Sequence, residues 1–165
     1  MQFVPLDLER LLEALSTEPH LRYVLVGGLA VMAHGGTRNT RDADLAIAFD
    51  LENRKRVVRA LAPLNPRPER LASGAHWIWD ELCVRAPWSL FVTDAGRVDL
   101  LVRMSGVESF DALYERSEVH EVFGMSLRIA SIDDLLAMKR TAGRDRDQED
   151  IRQLEAIQKL TAEGA

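Results

Sequence analysis

Hydrophobic residues near the start of the chain recur with the period of a helix. Leu8, Leu11, Leu12 and Leu15 stand at i, i+3, i+4 and i+7, which predicts a helix over 5–16 with one buried stripe. Similar patterns and capping residues predict further helices along the chain. These cover about 29–33, 51–62, 110–117, 131–142 and 147–160.

Alternating or β-branched runs between these helices predict strands. Residues 23–26 form one apolar run, and in 43–49 the side chains Leu45, Ile47 and Phe49 alternate with Asp44 and two alanines, so these three are expected to face the core. Two hairpins are expected further on, over 90–102 and 120–129. Helices that alternate with hairpins indicate one α+β domain over 1–165, with C-terminal helices at about 131–161.

Composition and charge narrow the class of protein. The 165 residues are 47% hydrophobic and 28% charged, and the formal charge is 21 − 26 = −5, which argues against a basic surface that coats nucleic acid. Cys83 is the single cysteine, so an internal disulfide is excluded and a reducing compartment is favoured. The longest apolar stretch, 23–33, is about half the ~20 residues that span a bilayer. We therefore expect a cytoplasmic protein without a membrane partner.

Acidic residues on two predicted strands suggest a metal-dependent reaction. Asp42 and Asp44 are two residues apart, so they share one sheet face, where they are expected to stay in contact with water. Two neighbouring carboxylates repel each other unless a divalent cation lies between them. Asp99, inside a later strand, is placed to act as a third ligand and as the acceptor of a proton from an attacking hydroxyl.

A glycine pair complements these acids. Gly27 and Gly28 follow the strand 23–26 and precede a short helix, where the backbone can approach phosphate closely and free N–H groups favour an anion. Together, the glycines and the three aspartates predict a site for a nucleotide and Mg²⁺.

These motifs resemble those of a known superfamily. The run VLVGGLAVMAHGGTRNTRDADLAI at 24–47 is similar to the signature of the DNA polymerase β-type nucleotidyltransferases, with Gly-Gly, a short helix and Asp-x-Asp on a strand. GRVDLLV at 96–102 matches the strand of the third acid. Arg38 and Thr40 before Asp42, together with SIDDLLAMKRTAGRDRDQEDIRQL at 131–154, resemble small stand-alone relatives of the AbiEii-type toxin nucleotidyltransferases.

The resemblance implies a fold and a reaction. The fold would be α+β, a mixed β-sheet with helices packed mainly on one face and a C-terminal helical element. The reaction would be transfer of a nucleoside monophosphate from an NTP to an acceptor, with two Mg²⁺ ions, or Mn²⁺ in their place, and release of pyrophosphate. The acceptor would be RNA, such as tRNA, or a protein, and an antitoxin chain is an expected partner in a toxin–antitoxin or phage-defence pair.

The resemblance also implies roles for individual residues. Asp42 and Asp44 would hold both metal ions, and Asp99 would complete one metal site and activate the acceptor. Nucleotide contacts are implied for the remaining matched positions. These are Gly27, Gly28, Arg38, Thr40, Lys139, Arg144 and Asp147. Lys139 would neutralise phosphate charge, with an Arg144–Asp147 ion pair to orient it. Gly28 stands where many relatives have serine.

Other interpretations remain open at the level of sequence. A small-molecule nucleotidyltransferase of the lincosamide or aminoglycoside type fits the same spacing, and a non-catalytic interaction module on the same fold is an alternative of another class. Trp77, Trp79 and Trp88 fit either packing, which we favour, or a base-stacking platform. The stretch 65–88 matches no motif, and neither the acceptor nor the preferred NTP is encoded in a readable pattern.

Overall fold

A computed structural model of the chain describes residues 4–37, 39–70 and 75–164. In these ranges, six α-helices and seven strands follow one another along the chain. They are α1 (Leu8–Ser16), β1 (Tyr23–Val26), α2 (Gly27–Ala33), β2 (Asp42–Ile47), α3 (Leu51–Leu61), β3 (Arg67–Pro68), β4 (Trp88–Thr93), β5 (Gly96–Leu101), α4 (Phe110–Arg116), β6 (Glu118–Val122), β7 (Met125–Ile129), α5 (Ile132–Ala142) and α6 (Gln148–Glu163). Short 3₁₀ turns at Ala62–Leu64 and Asp145–Asp147 precede β3 and α6.

The strands form one mixed sheet, which confirms the expected α+β class. Their order is β3-β4-β5-β2-β1-β7-β6 within the described residues. The pairs β2–β5 and β1–β7 are parallel, and the other neighbours are antiparallel. The centre of the sheet is therefore built from β5, β2 and β1, which come from three separate parts of the chain.

The core lies against these central strands. Leu25, Leu45, Leu100 and Ile129 are each no more than 2% exposed. The leucine stripe of α1 also packs into this core, as the helical period predicts. No helix in the described ranges is long and apolar enough to cross a membrane.

Local capping signals predict where several helices begin. Asp50 Oδ1 accepts the backbone N–H of Asn53 at 2.9 Å at the start of α3, and Ser131 Oγ accepts that of Asp134 at 3.2 Å at the start of α5. Both helices therefore begin where the sequence predicts. The first helix begins at Leu8 rather than Pro5, because Asp7 caps it by accepting the N–H of Arg10.

The end of β2 differs from the expectation. The strand ends at Ile47, and Phe49 is 49% exposed instead of facing the core. The cap at Asp50 ends the extended alternation, because the chain must turn there to begin α3. The Phe49 ring packs instead beneath the Arg54 guanidinium, 4.9 Å from its centroid.

Candidate active site

Three aspartates lie on two neighbouring strands at the centre of the sheet. Asp42 and Asp44 are alternate residues of β2, and Asp44 is the register partner of Asp99 on β5. Adjacent strands are about 4.8 Å apart, so the side chains of these partners are neighbours. The structure thus places on one sheet face the three acids that the sequence predicts to act together.

Two of these carboxylates are oriented by hydrogen bonds from side chains. Thr40 Oγ1 donates to Asp42 Oδ1 at 2.8 Å, and Trp88 Nε1 donates to Asp99 Oδ2 at 3.1 Å. The other oxygen of Asp99, Oδ1, is buried and has no hydrogen-bond partner within the described residues. A buried carboxylate oxygen left in this way is costly unless a ligand or ion completes its contacts.

The third carboxylate lies against the glycine pair. A Cβ atom at position 27 would be 2.0 Å from Asp44 Oδ2, and Gly27 has a φ of +65°, so both space and backbone conformation require glycine here. The backbone N–H of Gly28 helps to lower the pKa of Asp44. Gly27 and Gly28 are the first residues of α2 rather than a separate turn before it.

Burial dominates the electrostatics of these acids. It raises the pKa of Asp44 to about 7, and the charges of Asp99 and Asp42 add to this, whereas the charge of Lys139 and the N–H of Gly28 oppose it. Both acids of β2 are half-buried and border the cavity, and the close approach of α2 covers part of Asp44.

Burial also affects the charge of Asp99. It is 6% exposed, and burial raises its pKa, against the hydrogen bond from Trp88. Two buried carboxylates side by side are strongly disfavoured in the charged form without a cation.

The chemistry of this donor set fits a hard divalent cation. Carboxylate oxygens are the ligands that Mg²⁺ prefers, and Mg²⁺ is commonly held by one or two carboxylates that leave the rest of its shell to substrate phosphates and water. Across the described ranges, no group of three or more His, Cys, Asp or Glu side chains is arranged to hold a metal ion. Asp99 Oδ1 is the carboxylate oxygen here that still needs a partner.

A buried ionic cluster lies where α5 and α6 meet. Lys139 Nζ is 2.6 Å from Asp150 Oδ2 and 3.4 Å from Asp147 Oδ1, and these three residues are at most 5% exposed. Arg144 Nε lies 2.6 Å from Asp147 Oδ2. Burial alone would raise the pKa of Asp147, but the hydrogen bond from Arg144 and the charges of Lys139 and Arg144 hold it below its ordinary value. The ammonium of Lys139 is therefore bound between two carboxylates.

One cavity of about 370 Å³ joins these elements. The acids of β2 and β5 line one part of it, and the ionic cluster lines another. Of the residues predicted to bind metal or nucleotide, all in the described ranges border the cavity. They are Gly27, Gly28, Thr40, Asp42, Asp44, Asp99, Lys139, Arg144 and Asp147. Arg38, also predicted, lies outside the described residues.

The cavity also has lining residues to which sequence reasoning gave no site role. Arg103 and Arg146 are exposed cations at its border, and Trp88, for which the sequence favoured packing over base stacking, borders it from β4. Arg103 lies in the bend that follows β5, where the alternation of the strand has ended, so no sequence signal pointed to it. Asp150, the nearer carboxylate partner of Lys139, stands three residues after Asp147, on the same side of the helix start.

Solved structures with this fold include antibiotic-modifying enzymes. A lincosamide antibiotic adenylyltransferase with bound lincomycin is 16% identical, with a TM-score of 0.58, over 93% of this chain and 99% of that chain. ANT(2″)-Ia in complex with adenylyl-2″-tobramycin is 18% identical, with a TM-score of 0.56, over 94% and 93%. An antigenic nucleotidyltransferase-like protein from Paracoccidioides brasiliensis is 18% identical, with a TM-score of 0.51, over 94% and 78%.

At these identities the likeness is one of fold, and the fold is that of the nucleotidyltransferases. Among curated proteins, none matches the sequence of this chain. The family described as nucleotidyltransferase of unknown function, DUF6036, matches residues 6–163, and the chain belongs to it. The protein is accordingly an enzyme that transfers nucleotidyl groups.

Proposed function

We propose that the enzyme transfers a nucleoside monophosphate from an NTP to a hydroxyl group of RNA, with Mg²⁺ as the metal. The observation that carries the proposal is the single cavity bordered by Asp42, Asp44 and Asp99 on one side and by Gly27 and Gly28 on another. The acceptor oxygen forms a bond to the α-phosphorus, the bond from that phosphorus to the pyrophosphate oxygen breaks, and the hydroxyl proton passes to Asp99.

The side chains have separate tasks in this reaction. Asp42 and Asp44 would hold the metal, as two Mg²⁺ ions or as Mn²⁺, and Asp99 would contribute its free oxygen Oδ1 to one ion and to the acceptor proton. When bound, the metal neutralises charge on the triphosphate and on the three acids. The backbone of Gly27 and the Thr40 hydroxyl border the triphosphate side of the cavity.

Cations at the border of the cavity complete the proposed nucleotide site. Lys139 lies within the electrostatic reach of Asp44, and Arg144 is half exposed, with its guanidinium held by Asp147. We assign both to the neutralisation of phosphate charge, with Arg38 as a further contact.

The size of the cavity supports an acceptor that approaches from outside. About 370 Å³ is at the lower end of ligand pockets, which is suited to one nucleotide. An RNA end can reach the Asp99 side while the rest of the molecule stays on the surface. Together with the resemblance to the AbiEii-type toxins, this supports a toxin–antitoxin or phage-defence role in the cytoplasm, with an antitoxin chain as partner.

Labelling tests this proposal. Purified protein is incubated with each α-³²P-labelled NTP, Mg²⁺ and cellular RNA or protein extract, beside an Asp44→Ala variant and a sample with EDTA. We expect label in RNA with the wild-type protein alone. Label that enters protein but not RNA, or label in RNA that the variant also gives, contradicts the proposal.

A small-molecule acceptor is the second candidate. The observation in its favour is that the lincosamide adenylyltransferase is matched over 99% of its own chain. Nearly all of that protein's fold therefore has a counterpart in this chain. Expression in a drug-sensitive bacterial host separates the candidates. Protection against a lincosamide or an aminoglycoside supports the second candidate, whereas growth inhibition that Asp44→Ala relieves supports the first.

A further inference from the structure

The order of the strands separates the two sides of the proposed reaction. From β1 through β2 and β5 to β4, adjacent strands are about 4.8 Å apart. The glycine pair begins at the end of β1, the metal acids lie on β2, and Asp99 lies on β5. The strand β4 is therefore roughly 10 Å from β2, on the side away from the glycines. In an in-line displacement the attacking and leaving oxygens lie on opposite sides of the phosphorus.

Trp88 on β4 occupies this far side. Its Nε1 donates to Asp99 Oδ2 at 3.1 Å, so the indole touches the residue proposed to take the acceptor proton. The residue borders the cavity and is 57% exposed.

The other two tryptophans are engaged differently. The indole of Trp77 donates to Pro66 O and that of Trp79 donates to Val58 O, each at 2.8 Å. Both rings pack on Phe91, with centroid distances of 6.1 and 4.9 Å. The packing role that we favoured from the sequence therefore applies to these two, and Trp88 is the member of the trio with an exposed ring at the site.

The backbone of Arg103 lies close to that of Trp88. After β5 ends, the backbone N–H groups of Val102 and Arg103 both donate to O of Pro87, the residue before Trp88, at 2.9 and 3.2 Å. Arg103 borders the cavity, and its guanidinium makes no ion pair or hydrogen bond within the described part of the chain. An exposed indole and a guanidinium without a protein partner suit a single-stranded nucleotide. Its base can stack on the aromatic face and its phosphate can bind the arginine.

We propose that Trp88 and Arg103 form the acceptor subsite, in which the base of the terminal RNA nucleotide stacks on the indole and its phosphate binds the guanidinium. This inference rests on the proposed function and adds the residues that select RNA as acceptor. Trp88 has a second task through its N–H, which holds Asp99 Oδ2 and leaves Oδ1 for the acceptor hydroxyl.

Four variants test the subsite in steady-state labelling, with cellular RNA as the titrated acceptor. Trp88→Ala removes ring and donor, so we expect the KM for RNA to rise about 5- to 160-fold, as for the loss of one stacked base. Trp88→Phe keeps a ring without the donor, so kcat should fall while KM stays near that of the wild type. Arg103→Ala should raise KM and reduce the salt dependence of binding by about one counterion. Phe123→Ala, which removes an exposed ring at the β6–β7 turn, is the matched control.

Binding of Mg²⁺ and a non-hydrolysable NTP, measured by thermal shift, should be equal in Arg103→Ala, in Phe123→Ala and in the wild type. Labelled RNA with a wild-type KM in Trp88→Ala and Arg103→Ala overturns the subsite and leaves the proposed function standing. Absence of RNA labelling by the wild-type protein overturns both. If Trp88→Phe raises the KM for RNA as much as Trp88→Ala does, the stacking role is contradicted. If a Trp88 variant does not fold, Arg103→Ala still tests the subsite.

Discussion

Asp44 combines two properties that are rarely found in one side chain. It is covered by the first residues of α2 and it stands beside two other carboxylates. Each property disfavours its charge, and the N–H of Gly28 and the charge of Lys139 offset only part of the cost. The residue is therefore poised to gain stability from a cation, and without one it is a source of instability at neutral pH.

This yields a prediction about pH. Because the pKa of Asp44 is about 7 in the folded protein and about 4 when unfolded, its contribution to stability is complete below pH 4 and is lost as pH rises through 7. The loss amounts to at most about 4 kcal/mol. In metal-free protein, we expect Asp44→Asn to raise the melting temperature at pH 8 and to have little effect at pH 4, measured by thermal denaturation.

Asp145→Asn is the control, because Asp145 is exposed and does not border the cavity. It should leave the melting temperature unchanged at both pH values. An Asp44→Asn protein no more stable than the wild type at pH 8 would contradict the cost assigned to this buried charge.

Gly27 gives a second prediction at the scale of one residue. Alanine there meets both a positive φ of +65° and the Asp44 carboxylate 2.0 Å from its Cβ. Gly124→Ala is the matched control, since Gly124 has a φ of +73° and nothing within 4 Å of a new Cβ. Both should lose about 1–2 kcal/mol of unfolding free energy to backbone strain, measured in urea. Gly27→Ala should lose more, and its turnover should fall about 100-fold as Asp44 is displaced.

Equal losses of stability in the two alanine variants, with turnover retained, would mean that the contact between Gly27 and Asp44 does not fix the acid. Both variants carry the same backbone penalty, so the difference in their stabilities measures the close contact between position 27 and Asp44.

At the scale of elements, the junction of α5 and α6 depends on one ammonium group. Lys139 comes from α5, Asp147 ends the 3₁₀ turn before α6, and Asp150 lies in the first turn of α6; all three are buried. Removal of one partner from a buried ionic cluster leaves charge without compensation. The cluster thus ties the C-terminal helices to the cavity wall.

We expect Lys139→Met to lower the unfolding free energy by about 3–5 kcal/mol, because two buried carboxylates lose their ammonium while the side-chain volume is kept. Chemical denaturation measures the change. Lys159→Met, on the exposed side of α6, should be within about 0.5 kcal/mol of the wild type. A loss below about 1 kcal/mol in Lys139→Met would show that the cluster is not what holds the junction.

The elements themselves were largely predictable, because their signals are local. The leucine stripe of α1, the caps at Asp50 and Ser131 and the glycine at the β6–β7 turn each act within a few residues. Phe49 shows the limit of this reasoning. Alternation alone extends β2 to it, and only competition with the cap of the next helix decides that the strand ends earlier.

At the scale of the whole molecule, the site depends on strand order, which no local pattern encodes. The sequence predicts three reactive acids on strands, namely Asp42, Asp44 and Asp99. Their adjacency, however, comes from the parallel pairing of β2 with β5. The burial of Asp44, the indole of Trp88 at Asp99 and the position of Arg103 all follow from tertiary contacts. The sequence therefore predicted the reacting groups better than their surroundings.

The last prediction concerns the ligand that the whole cavity is proposed to hold. A ligand that binds only the folded state stabilises it by mass action, by about 2.7 kcal/mol at 100 times its Kd. We expect a non-hydrolysable NTP and Mg²⁺ together to raise the melting temperature more than either alone, because the metal joins the triphosphate to the acids of β2. EDTA should abolish the rise, and Asp44→Ala should lack it. Equal stabilisation by the NTP with and without Mg²⁺ would contradict a shared metal site.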